Sequence, residues 1–179
     1  MLKPLKQFRM RVKSRDGLTL VETMVTVIIS TFIMGALYMI LVVGNDSWYV
    51  NSVQAELQMG LRKATSTLIS DLHESGSSSI SDVTANGSWF NTLTFRVSTG
   101  VSGGYISWSN TIAYSVSSNQ LQRVYNSATT AVSRNISLFQ ARRQTASPSV
   151  VEIQINAQKS TPRNTVVRAS TSFQVQLRN

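Results

Sequence analysis

From Thr23 to Asn45 the chain carries no charged residue, and most of these 23 positions are aliphatic, aromatic or Met. At about 1.5 Å per residue, a helix from Thr23 to Gly44 rises roughly 33 Å, close to the hydrocarbon thickness of a bilayer. The segment is apolar all round, so the pattern predicts a membrane-spanning helix over residues 18–44. Beyond it the apolar positions narrow to one stripe. Val50, Val53, Leu57, Leu61, Ala64, Leu68 and Leu72 recur at spacings of three and four, opposite Gln54, Gln58, Arg62 and Lys63. The helix is therefore expected to continue over residues 45–75 as an amphipathic rod, roughly 85 Å long in all. Gly76 and Ser77-Ser78-Ser79 end the pattern. Gly44-Asn45 and Gly60 are weak points inside it, since Gly costs about 1 kcal/mol relative to Ala in a helix interior.

After a loop from Gly76 to Ser88 the period drops to two. Leu93, Phe95 and Val97 alternate with Thr92, Thr94 and Arg96; Ile112, Tyr114 and Val116 alternate with Thr111, Ala113 and Ser115. Ser118-Asn119 is placed for a tight turn into a strand from Gln120 to Tyr125. Val151, Ile153, Ile155 and Ala157 alternate with polar residues, as do Val167, Ala169, Thr171, Phe173, Val175 and Leu177. Lys159 to Asn164, with Pro162, should join that pair as a hairpin, and Gly100 to Gly104 reads as a long hairpin turn. One-sided strands of this kind belong to antiparallel sheets with one packed face. The expected fold is α+β: a long N-terminal helix, membrane-spanning in its lower half, packed through its upper half against an antiparallel β-rich body over residues 76–179.

Charge sharpens the membrane assignment. The net charge of +9 comes largely from Lys3, Lys6, Arg9, Arg11, Lys13 and Arg15. Six basic residues thus precede the apolar run and none follows it until Arg62, which keeps the N-terminus cytoplasmic and exports the body. Without residues 1–17 the chain holds 11 basic and 7 acidic residues, scattered along it. No concentrated nucleic-acid footprint remains, and no direct nucleic-acid partner is expected. The leader is read as a topogenic signal rather than a nucleic-acid arm. An ordinary secretory signal has a shorter apolar core and a cut after it. With no cysteine in the chain, disulfides contribute nothing to the exported body. Trp48 and Tyr49, just past the span, suit the outer membrane interface, the alternative being packing against the body.

The unusual residue is Glu22, a lone carboxylate at the head of the apolar run. Intramembrane acids are generally kept by a partner. A cut after Gly17 supplies one, because the new α-amino group of Leu18 stands four residues before Glu22, on the same helix face or on a neighbouring subunit. The alternative places Glu22 at headgroup level with no role. A basic leader, Gly17, then Leu18-Thr19-Leu20-Val21-Glu22 and a long apolar helix resembles the processing site of type IV prepilins and type II secretion pseudopilins, with Leu18 where Phe is usual. That resemblance implies cleavage between Gly17 and Leu18 by a prepilin peptidase, removal of residues 1–17, N-methylation of Leu18, and docking of Glu22 onto the subunit ahead.

Farther along, Ile112-Ala113-Tyr114-Ser115, Leu121-Gln122-Arg123, Ile136-Ser137-Leu138-Phe139 and a final strand ending Leu177-Arg178-Asn179 look similar to the J-type minor pseudopilin group. This implies a structural subunit at the tip of a secretion pseudopilus, with other pseudopilins or pilins and an inner-membrane assembly platform as partners and the lipid bilayer as its store. It implies no cofactor. The chain departs from major pilins in lacking both a disulfide loop and a proline in the apolar helix.

Catalysis finds little footing. His73 is the only histidine; Asp71 beside it points to another helix face and no second histidine or cysteine completes a metal set. A solvated, charged helix end is the plainer account of Asp71, His73 and Glu74. No Gly-x-Ser-x-Gly elbow occurs, and Gly100 to Gly104 lacks the Lys-Ser/Thr of a phosphate loop. Asp46 and Asp82 stand isolated, so no calcium site is expected. Two classes remain open: a filament subunit, either of a secretion pseudopilus or of a type IV pilus, and a signal-anchored periplasmic binding or sensor protein in which the Gly17–Glu22 pattern is accidental.

Overall fold

A computed structural model describes residues 19–177. The chain divides at Gly44 into two compact units, residues 1–44 and 45–179, and the 54-residue helix α1 (Leu20–His73) contributes to both. Neither Gly44-Asn45 nor Gly60 interrupts it. In the first unit every residue from Thr19 to Leu41 is exposed. Three threonine hydroxyls bond within the helix, Thr23 to the Thr19 carbonyl among them. Thr26 and Thr31 donate to the carbonyls of Glu22 and Val27 at 2.7 and 2.8 Å. Such bonds let polar side chains sit in hydrocarbon without stranding a donor. α1 is one helix long and apolar enough to cross a membrane.

The second unit is antiparallel throughout. One sheet has the order β1 (Thr92–Phe95), β4 (Ile112–Ser117), β5 (Gln120–Tyr125), β6 (Ala128–Arg134). A three-stranded sheet joins β7 (Ile136–Gln144), β8 (Ser147–Ser160) and β9 (Val166–Gln176), and β2 (Ser98–Ser102) with β3 (Tyr105–Trp108) forms a separate hairpin. The class is therefore α+β, as the two periodicities predict. Val53, Leu57, Leu61, Ala64, Leu68 and Leu72 of α1 are all buried, in one core with Phe95, Tyr114, Phe139, Ile153 and Ile155. The upper stripe thus finds its cover in the sheets. The β8–β9 register pairs Val151 with Val175, Ile153 with Phe173 and Ala157 with Ala169, so the alternation read in each strand meets on one face.

Several boundaries differ from expectation. The helix stops at His73, two residues early, because Ser75 turns back to bond the Leu72 carbonyl with both its N–H and its hydroxyl. β1 ends at Phe95; Val97 instead bridges Ser75. Gly100 to Gly104 is not a long turn. Gly103 and Gly104, both at positive φ, make a two-residue turn, and Gly100 lies within β2 where the register shifts. β6 was not anticipated, because Ala128-Thr129-Thr130-Ala131 is exposed throughout and leaves no alternation to read. The turns around β5 are both two-residue: Ser118-Asn119, as expected, and Asn126-Ser127, each with positive φ at both positions.

Candidate functional site

The head of α1 is built by a helix cap. Thr19 stands at the N-cap: its Oγ1 accepts the Glu22 N–H at 3.3 Å and its carbonyl accepts the Thr23 N–H at 3.1 Å. Glu22 therefore lies in the first turn, three residues in from the cap. There the unbonded N–H groups give the helix a partial positive charge that favours a carboxylate. Glu22 is exposed, on a turn whose other side chains are Leu20, Val21 and Thr23. Gly17 and Leu18 lie outside the described residues.

The second group of interest begins where charge resumes. Asp46 is not isolated: it accepts from Arg163, on the turn between β8 and β9, with both side chains about half exposed. Ten residues on, Glu56 accepts from Lys159 at 2.5 Å and from Asn135 at 3.2 Å. Trp48 is 64% exposed, so packing against the body does not account for it; Tyr49 is half-buried and meets Trp48 edge to face at 5.4 Å. The β8–β9 turn is closed by Thr161, whose N–H bonds the Thr165 carbonyl and whose hydroxyl accepts the Thr165 N–H.

The far end of α1 holds the polar network of the core. Asp71 Oδ2 accepts from the Tyr114 hydroxyl and from Arg123 Nε, each at 2.7 Å. Asp71 is thus not part of a solvated helix end; only its neighbours His73 and Glu74 are exposed. Burial first, and then the Asp71 carboxylate, hold the Tyr114 hydroxyl far above the usual phenol range. Arg123 is raised chiefly by its bond to Asp71. Asp82 also has partners, the hydroxyls of Ser81 and Thr94. Apart from Ser81–Asp82, the contacts of Asp46, Asp71 and Asp82 join residues 12 to 117 positions apart, beyond what local pattern reveals.

Among the described residues no three His, Cys, Asp or Glu side chains converge. An open trough of about 940 Å³ runs between α1 and β9, lined by Gln58, Leu61, Arg62, Ile69 and Ala169 among others, with no nucleophile–base pair in it. Comparison with protein families, curated proteins and solved structures found no match.

Proposed function

We propose that this chain is a minor pseudopilin, a structural subunit that helps initiate a type II secretion pseudopilus. The observation that carries this reading is the head of α1: a capped helix with an acid in its first turn and every residue from Thr19 to Leu41 exposed. Lipid covers such a helix before assembly, and the helices of neighbouring subunits cover it afterwards. Cutting after Gly17 leaves a cation at Leu18, beside a helix end that is itself partly positive. Glu22 neutralises both charges, in its own subunit or the next. Because lipid is as apolar as the helix surface, van der Waals packing between helices and this charge pair, formed away from water, favour assembly. The body remains on the exported side, carried by the upper half of α1.

The test is the mature N-terminus in cells with an active prepilin peptidase, read by mass spectrometry of the purified chain. A chain beginning at N-methylated Leu18 supports the proposal, and Gly17→Asp should abolish that product. A chain still beginning at Met1 refutes it and leaves the signal-anchored alternative. Loss of pilus assembly with intact secretion in a deletion strain reassigns the subunit to a type IV pilus.

A further inference from the structure

We infer that the free edge of β9, beside α1, takes up an extended acidic segment of another protein chain as a fourth strand. Only residues 45–179 are involved, and the inference holds whether or not the chain enters a filament.

β9 is an outer strand of its sheet: β8 lies on one side and, among the described residues, no strand lies on the other. The phase of the ladder fixes which of its groups face outward. Leu177 N–H bonds the Ser149 carbonyl and Thr161 N–H bonds the Thr165 carbonyl, so the odd-numbered residues of β9 exchange hydrogen bonds with β8. The N–H and C=O groups of Val166, Arg168, Ser170, Ser172, Gln174 and Gln176 therefore point to the open side. Among the described residues they have no partner. Outer strands are ordinarily shortened, bulged or charged against such pairing. β1 has four residues, and β6 and β7 each carry register shifts against their neighbours. β9 runs for 11 residues in unbroken register, with no Pro and a single charge, Arg168.

Beside that edge lies the trough of about 940 Å³. On α1 its lining follows one flank of the buried stripe, where Thr65 and Ile69 are only half-buried. A further strand about 4.8 Å from β9 would rest its side chains on Ile69 and Ala169, both partly buried against the core. Main-chain bonds along the edge then supply affinity, and the side chains that meet the trough supply selectivity.

Charge selects the occupant. Arg62 and Arg168 line the trough, both exposed, and no carboxylate does. The ion pairs among the described residues use Arg123, Arg142, Lys159 and Arg163, so neither trough arginine is engaged. A second copy of the body has little acid to offer in return. Asp46, Glu56, Asp71, Asp82 and Glu152 are already bonded within it, which leaves Glu74. Residues 1–17, with six basic residues and one acid, carry the wrong sign.

Full-length chain in non-ionic detergent is titrated into a fluorescein-labelled, end-blocked octapeptide of alternating Val and Glu, and into the same peptide with Lys for Glu. We expect saturable anisotropy with the Glu peptide at a Kd below about 1 mM, and binding of the Lys peptide weaker by about tenfold or more. Arg62→Glu with Arg168→Glu should weaken the Glu peptide by about tenfold. Ser170→Pro removes one outward donor without touching the β8 ladder and should abolish binding; near-UV circular dichroism should match the parent for both variants. N-methylating the peptide at every Val or at every Glu separates strand addition from plain charge attraction. Only one of these sets of amides faces β9, so one methylated peptide should fail and the other bind. Absent binding of the Glu peptide, equal binding of the Lys peptide, or indifference to both methylations overturns the inference. Self-association of the chain that Ser170→Pro abolishes, in place of peptide binding, seats a second copy at the edge and overturns it too.

Discussion

Asp71→Ala probes the polar link between α1 and the sheet. Tyr114 is fully buried, so the substitution strands its hydroxyl away from water, at a cost of about 1–3 kcal/mol. Arg123 loses its carboxylate too, but its side chain is 27% exposed and lies 5.4 Å over the Tyr125 ring, so it can turn outward. That loss adds about 1 kcal/mol at most after solvent screening. The sum is about 1–4 kcal/mol. For the 135 residues from Asn45 to Asn179, an unfolding entropy of about 2.1 cal/mol/K per residue gives about 0.28 kcal/mol/K. The melting temperature should therefore fall by about 4–14 °C.

Tyr114→Phe leaves Asp71 paired with Arg123 and should cost only about 0.5–1.5 kcal/mol, or about 2–5 °C. The assay is near-UV circular dichroism of the full chain in detergent, which reports packing of the body aromatics rather than the helix in the micelle. A shift below about 2 °C for Asp71→Ala would show that the network holds nothing together. The same network predicts a pH response. The Tyr114 hydroxyl is raised on folding, so its contribution is complete below the ordinary phenol value of 10.0 and is lost as pH climbs toward the folded value. Stability should decline above about pH 10, and this part of the decline should vanish in Tyr114→Phe.

Three further outcomes are expected. Glu22→Ala should insert into the membrane normally by protease protection yet reduce filament assembly or secretion in a complementation assay; undiminished assembly argues against the amine–carboxylate pair. Gly60→Val should destabilise the body by about 1–3 kcal/mol in urea unfolding, because a Cβ at Gly60 already falls 2.8 Å from Ser133 Oγ; an unchanged midpoint contradicts the close approach of α1 to β6. Asn119→Gly should raise stability by a few tenths to about 1 kcal/mol, since residue 119 sits at φ 57° in a turn that demands it; a loss of stability would mean the Asn side chain supports the turn.

Where one periodicity persists over many residues, it survives folding unaltered. The stripe from Val53 to Leu72 is the buried face of α1, and Val151 to Ala157 is the buried face of β8. Gln120 to Tyr125 appears as β5 with its boundaries intact. Periodicity reports burial of one face, so it is silent where neither face is buried or burial is irregular. β6 escaped notice because its first four residues face solvent, and β7, Ile136–Gln144, was not read as a strand because its burial alternates only irregularly. Gly60, a weak point by helix propensity, is where Ser133 approaches the helix, a reason no single segment contains.

The sequence by itself determined the local elements: an uncharged run long enough for a bilayer, a lone acid at its head, a stripe, and paired alternating strands. Each depends on neighbours a few residues apart, where backbone geometry alone sets which side chains share a face. The partners of the charges were decided only in three dimensions. Asp46 meets Arg163 and Asp71 meets Tyr114 and Arg123 across 43 to 117 positions, because strand pairing brings distant segments to the helix and a carboxylate is stabilised by whichever donors that pairing delivers.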